Sequence, residues 1–254
     1  MKRGLKPHTP DRRDLRLANY LAPLPKPPAQ FGHGDAVEEW GVLGNDEWGD
    51  CFWAGAAHET MLLGRLGGHK PEFSDHSVLD TYGTYLGAYG RAGLEAKPSL
   101  DQGTEPREGA KYRAKNGVTD SRGQAHRIGA YLWLERGDVE QLEQALYIFQ
   151  VVGVGFELPQ SAEEQFSREQ TWDVVRGSPI LGGHYVPLIG KNALGPLEGV
   201  SWGQRVLISA DFYRRYNQAS LVYVSASQLK DGKTPEGFSK EQLLQDLNAL
   251  KGTP

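Results

Sequence analysis

The sequence predicts an α+β fold, helical in its first half and strand-rich in its second. Three observations predict it. Apolar side chains recur at helical spacing in several stretches between residues 51 and 149. From Val151 onward the apolar runs are short, β-branched and bounded by glycine. The helical patterns precede the strand patterns instead of alternating with them, which argues against βαβ units.

The elements follow in order. Pro7, Pro10, Pro23, Pro25, Pro27 and Pro28 keep the first stretch extended. It carries seven basic side chains, from Lys2 to Lys26, against Asp11 and Asp14. Residues 1–40 therefore read as a basic, proline-rich arm, draped over the body and solvated. The arm has no apolar core of a secretion signal, so a cytoplasmic or virion-associated location is expected. Residues 41–49 form a polar, glycine-containing loop. Asp50 then stands at the N-cap position of a helix that starts at Cys51 and ends near Gly67-Gly68. A second helix is expected over 75–89, with Val78, Leu79, Tyr82, Tyr85, Leu86 and Tyr89 on one face. Residues 90–103 read as a loop. Thr104 with Pro106 marks the next helix start, and Asn116-Gly117 its end. Residues 139–149 are an amphipathic helix. Strands are expected at 151–156, 183–190, 204–209 and 221–225, with Pro187 indicating an edge position or a bulge in the second. Leu243, Leu244, Leu247 and Leu250 stripe a terminal helix over 239–250. The organisation is thus an arm (1–40), a helical lobe (41–135), a β-rich lobe (136–230) and a tail (231–254).

Composition narrows the function. The formal charge of the 254 residues is −4, so no global positive field holds nucleic acid or an anionic membrane. No apolar run approaches the ~18 residues of a spanning helix. A single cysteine excludes an intrachain disulfide and thiolate-built zinc sites. His33, His69, His76 and His126 lack ligand spacing, so no metal or other cofactor is expected.

Cys51 is the residue that carries chemistry. At a helix start, free N–H groups and the helix dipole favour a thiolate. Asn45 precedes it by six residues, in Asn45-Asp46-Glu47-Trp48-Gly49-Asp50-Cys51. Gly182-Gly183-His184-Tyr185-Val186 places an imidazole at a strand start 133 residues later. Val200-Ser201-Trp202-Gly203 follows. This order resembles the papain-like cysteine peptidases, whose cysteine-to-histidine gap is ~130–150 residues. Pro10-Asp11-Arg12-Arg13-Asp14 resembles the lead-in of bacterial and phage members.

The resemblance implies a two-lobe papain-like fold and a thiol hydrolase that cleaves a peptide or amide bond of a peptide or protein substrate. Cys51 is then the nucleophile, His184 the base and Asn45 the second oxyanion donor beside the Cys51 N–H. Trp48, Gly49, Gly183, Ser201 and Trp202 line or support the cleft. Asn45 stands where the family has a glutamine, one methylene longer, and four further departures stand out. Val200 takes the family's asparagine position, which leaves Ser201 or a backbone carbonyl, or less directly Asp211, to orient His184. Trp48 replaces a half-cystine, Phe52 a tryptophan, and Asp50 a small residue. These departures motivate an alternative, a catalytically weak or inactive papain-fold protein acting as a structural or binding component, such as one of a phage or virion. A transglutaminase-like amidase is a third class, and the long gap to His184 argues against it. No long inhibitory prosegment is expected.

Overall fold

The computed structural model describes residues 1–20, 26–225 and Gln245. The tail helix expected over 239–250 lies outside the described residues, Gln245 aside. Strand β1 is Phe31–Gly32. Helix α1, Cys51–Leu66, is buried on every side of its first turns, from Cys51 through Glu59. Small side chains permit that. Ala54, Ala56 and Ala57 need little room, and Gly55 lies against the Tyr185 ring, where a Cβ would overlap it.

Helix α2, Asp75–Tyr85, starts with a reciprocal Ser74–Ser77 capping box. It stops short of the expected Tyr89 because Gly87 and Tyr89 adopt positive φ. The expected loop after it contains a short helix, α3, Gly90–Ala96. Helix α4, Pro106–Lys115, is capped by Glu105 and not by the expected Thr104. Thr104 Oγ1 instead accepts the indole N–H of Trp53 at 2.9 Å. A small hairpin, β2 (Val118–Thr119) with β3 (Ala125–His126), follows.

The second half is one antiparallel sheet. Its strands are β4 (Ile128–Trp133), β5 (Val152–Pro159), β6 (Ile180–Lys191), β7 (Leu197–Ser201), β8 (Gln204–Ile208) and β9 (Asn217–Ser225), in the order β4-β9-β5-β6-β7-β8, with β1 on β6. Helices α5 (Val139–Phe149), α6 (Gln160–Ser167) and α7 (Ala210–Tyr216) accompany it. β6 is interior, so Pro187 is not at an edge. Pairing with β7 begins only at Leu188 and slips before Gly190. The main core lies between the sheet and α5 and α7, built on residues such as Leu146, Phe156, Leu188 and Phe212. A second cluster surrounds α1, with Phe52, Trp53, Val78, Leu79, Tyr82 and Tyr185. α1 crosses β6 between them. Among the described residues no helix is long and apolar enough to cross a membrane.

The arm departs from the solvated expectation. Leu17 and Tyr20 are buried in the main core, and His8 stacks on Trp133 with ring centroids 4.0 Å apart. Asp14 accepts two hydrogen bonds from Arg107, at 2.6 and 3.0 Å. Lys2, Arg3 and Arg16, which look free in the sequence, have carboxylate partners far along the chain.

Candidate active site

Cys51 opens α1 and is buried. The N–H groups of Tyr185, Gly4 and Phe52 face its sulfur and favour a thiolate, yet burial dominates and pushes the thiol up to about 12. Tyr185 directly follows His184, so the fold sets the helix tip against the strand that carries the imidazole.

His184 is fully buried on β6, opposite Phe156 of β5. Its Nε2 pairs with Ser201 Oγ at 2.9 Å, and its Nδ1 has no hydrogen-bond partner among the described residues. Its ring stacks on Trp202, with centroids 4.4 Å apart and planes 21° from parallel. Burial lowers its pKa to about 3, and the Arg3 charge adds to that. In this form the imidazole is therefore neutral at pH 7, and neither ring nitrogen bonds the sulfur.

A tight hairpin delivers both partners of the ring. Ser201 pairs with Gln204 across a two-residue turn, in which Trp202 and Gly203 both have positive φ. That is the signature of the turn that matches strand twist. Strand alternation then decides which residue meets the histidine. Val200 faces a separate cluster with Trp40, Met61, Val151 and Ile189. Ser201, one residue on, faces His184. The asparagine position of the family pattern is turned away from the ring here, and the hydroxyl beside it makes the contact.

Asn45 and Asp50 sit differently from expectation. The Asn45 amide nitrogen donates to Asp50 Oδ1 at 3.0 Å and to Trp48 O at 3.3 Å. Asp50 makes no side-chain cap bond to α1. Its Oδ2 is buried without a partner, and burial raises its carboxyl well above the usual range. Any charge on Asp50 adds to the rise of the Cys51 thiol. His58 is buried farther along α1, its Nε2 against Trp40 O and Gly41 O at 3.1 and 3.0 Å. It holds the preceding loop and stands apart from Cys51.

The arm packs over Cys51. Leu5 N–H donates to Gly183 O at 3.0 Å, and Thr104 N–H to Gly4 O at 2.7 Å. Lys6 N–H returns to Thr104 O at 2.9 Å. The arm thus runs antiparallel to β6 and parallel to the segment at Thr104. Gly4 lies so close to Gly49 that a Cβ would overlap the Gly49 carbonyl. Lys2 pairs with Asp101 and lies over the Trp48 ring, 5.7 Å from its centroid. Gly49 N–H and the Tyr82 hydroxyl also donate to Asp101. Of the residues that hold the arm and its partners here, the sequence passes over Asp101 and Glu163 and reads Tyr82 only as part of a helix face. Only Thr104 stands near a motif, and there it reads as a cap.

No protein-family model matches this sequence, and no curated protein does. Solved structures do match. Xylellain, a cysteine protease from Xylella fastidiosa, superposes with a TM-score of 0.61 at 15% identity, over 88% of this chain and 96% of that one. The fold is papain-like. The Carica candamarcensis cysteine protease CMS1MS2 gives 0.56 at 15% identity, over 78% of this chain and 99% of that one. Procathepsin L2 from the larval midgut of Tenebrio molitor gives 0.56 at 17% identity, over 79% and 69%. At these identities the likeness concerns the papain-like fold alone.

Proposed function

We propose that this protein is a papain-like thiol hydrolase that cleaves a peptide or related amide bond through Cys51 and His184. The observation that carries the reading is the division of labour on the imidazole. Nε2 is held by Ser201, the ring face is covered by Trp202, and the buried Nδ1 is left without a partner. His58 Nδ1 also lacks a partner among the described residues but stands apart from Cys51, whereas His184 precedes Tyr185, whose N–H faces the sulfur. In this reading Nδ1 takes the thiol proton as sulfur attacks the carbonyl carbon. The Cys51 N–H stabilises the oxyanion, and Asn45 joins it by giving up the longer of its two bonds, that to Trp48 O. The carbon–nitrogen bond breaks as His184 returns the proton to the departing amine. Water, deprotonated by His184, then releases the acyl group. Ser201 is a positioning residue, since it holds the ring and touches no reacting atom.

A second reading rests on Asn45. With its amide committed to Asp50 and Trp48, the papain fold would serve as a binding component without turnover. Incubating the full chain with a peptide library and identifying products by mass spectrometry separates the two. The hydrolase reading expects products that vanish in both Cys51→Ser and His184→Ala. Products that persist in Cys51→Ser overturn it, and no products from either the wild type or Lys2→Ala, in which the arm over Cys51 loses its ion pair to Asp101, support the second reading.

A further inference from the structure

The arm shows what the cleft is built to hold. Asp101 has a fully buried side chain, and Lys2 is its one ion-pair partner among the described residues. A buried carboxylate without a countercharge is strongly unfavourable, so this position calls for a cation. The groups that hold it are part of the cleft floor: Gly49 N–H fixes both carboxylate oxygens, at 3.1 and 3.2 Å, just before the Cys51 helix begins. On the opposite wall, Glu163 of α6 accepts from Arg3 at 2.5 Å, and the Arg3 stem lies along Gly182. After the two cations, Gly4 fits against Gly49 only because it lacks a Cβ. Leu5 then buries its side chain against Gly155 and Gly183.

The backbone of this occupant is misaligned for cleavage. Gly4 presents an N–H to the sulfur, while its carbonyl is turned to Thr104 N–H. A thiolate needs a carbonyl carbon, so the arm fills the cleft without serving as its substrate.

We infer that the cleft over Cys51 selects basic peptide segments, with Asp101 and Glu163 as its specificity-determining residues and with residues 2–6 of this chain as its resident occupant. The inference rests on the reading of Cys51 as the centre of a peptide cleft. It names the substrate class: peptides that place lysine or arginine next to a small residue.

Iodoacetamide labelling of Cys51 in the full-length chain tests it without requiring turnover. Wild type should label slowly. Lys2→Ala removes the countercharge of a buried carboxylate and should speed labelling by roughly 10²-fold. Arg3→Glu breaks a partly exposed pair and should speed it about fivefold, and Arg3→Glu with Glu163→Arg should return it toward wild type. In the Lys2→Ala protein, added Lys-Arg-Gly-Leu-Lys should protect Cys51 saturably, and Glu-Glu-Gly-Leu-Glu should not. Glu163→Gln, near the protein surface, should weaken that protection even if Asp101→Asn fails to fold. Equal protection by both peptides, or no change in labelling in either arm variant, overturns the inference. Cleavage of peptides without basic residues would overturn it while leaving the hydrolase reading intact. Selective protection without cleavage would do the reverse.

Discussion

The two ends of α1 are built on opposite rules. At its third turn, Glu59 is buried in a paired network. Its carboxylate accepts from Arg113 at 2.6 Å and from the Tyr185 hydroxyl at 2.7 Å. Tyr185 meets the Tyr223 hydroxyl at 2.9 Å, and the Arg113 guanidinium lies over the Tyr223 ring, 4.2 Å from its centroid. These four residues tie α1, α4, β6 and β9 together. At the first turn the reverse holds. Among the described residues, both His184 Nδ1 and Asp50 Oδ2 lack a hydrogen-bond partner. Tyr185 spans both ends, with its N–H toward the sulfur and its hydroxyl on Glu59. The lesson is that the third turn of α1 is held by a buried ion pair and its hydrogen bonds to other elements, whereas its first turn has no ion pair among the described residues. The locked end holds the other in register.

The largest expected effect breaks the locked end. Glu59→Ala strands a buried guanidinium, and about 3–5 kcal/mol of stability should be lost in urea unfolding. Cys51→Ala removes only a small buried thiol and should cost less than about 1.5 kcal/mol. Comparable losses for the two would mean that the ends are built alike, and the contrast would fail.

Ser201→Ala sharpens the other side. It leaves the fold's packing intact but frees the His184 ring at Nε2. In the Lys2→Ala background, Cys51 labelling should slow by about tenfold. The pH profile of labelling should shift with it, because a freed imidazole no longer holds one tautomer. Ser201→Thr keeps the hydroxyl and should restore much of the rate. A purely structural role for Ser201 would change stability and leave the pH profile where it was.

The locked end and the open end also differ in how far the sequence discloses them. The helix at Cys51, the glycine pair before His184 and the 133-residue gap are local or countable features, and they locate the helix of Cys51 and the strand of His184. The choice of Ser201 over Val200 is half legible. Strand alternation settles it once Trp202-Gly203 is seen as a two-residue turn, but β7 is too short and glycine-broken to announce its period. The helices α6 and α7, of eight and seven residues, fall below the length at which a periodic face is readable. The arm is illegible for a different reason. Lys2 and Asp101, or Arg3 and Glu163, meet only through the closed chain, and no spacing rule links residues so far apart in sequence. Asn45 with Asp50 is local, yet burial, which the sequence does not display, turns that amide from the cleft toward a carboxyl.

The smallest expected effect lies in that pair. Burial holds the folded Asp50 carboxyl above its ordinary value of 3.8. Its contribution to stability is therefore fully present below that value and is lost as pH rises through the folded one. The amide introduced by Asp50→Asn would keep an oxygen for the Asn45 side chain and could not ionise. Thermal unfolding of Asp50→Asn against wild type should show a Tm difference near zero at about pH 4 that moves in the variant's favour as pH is raised. A difference that stays constant from about pH 4 to pH 8 would mean that Asp50 titrates as an ordinary solvated carboxylate. The open end of α1 would then carry a negative charge beside its sulfur, and the thiolate would have to form against it.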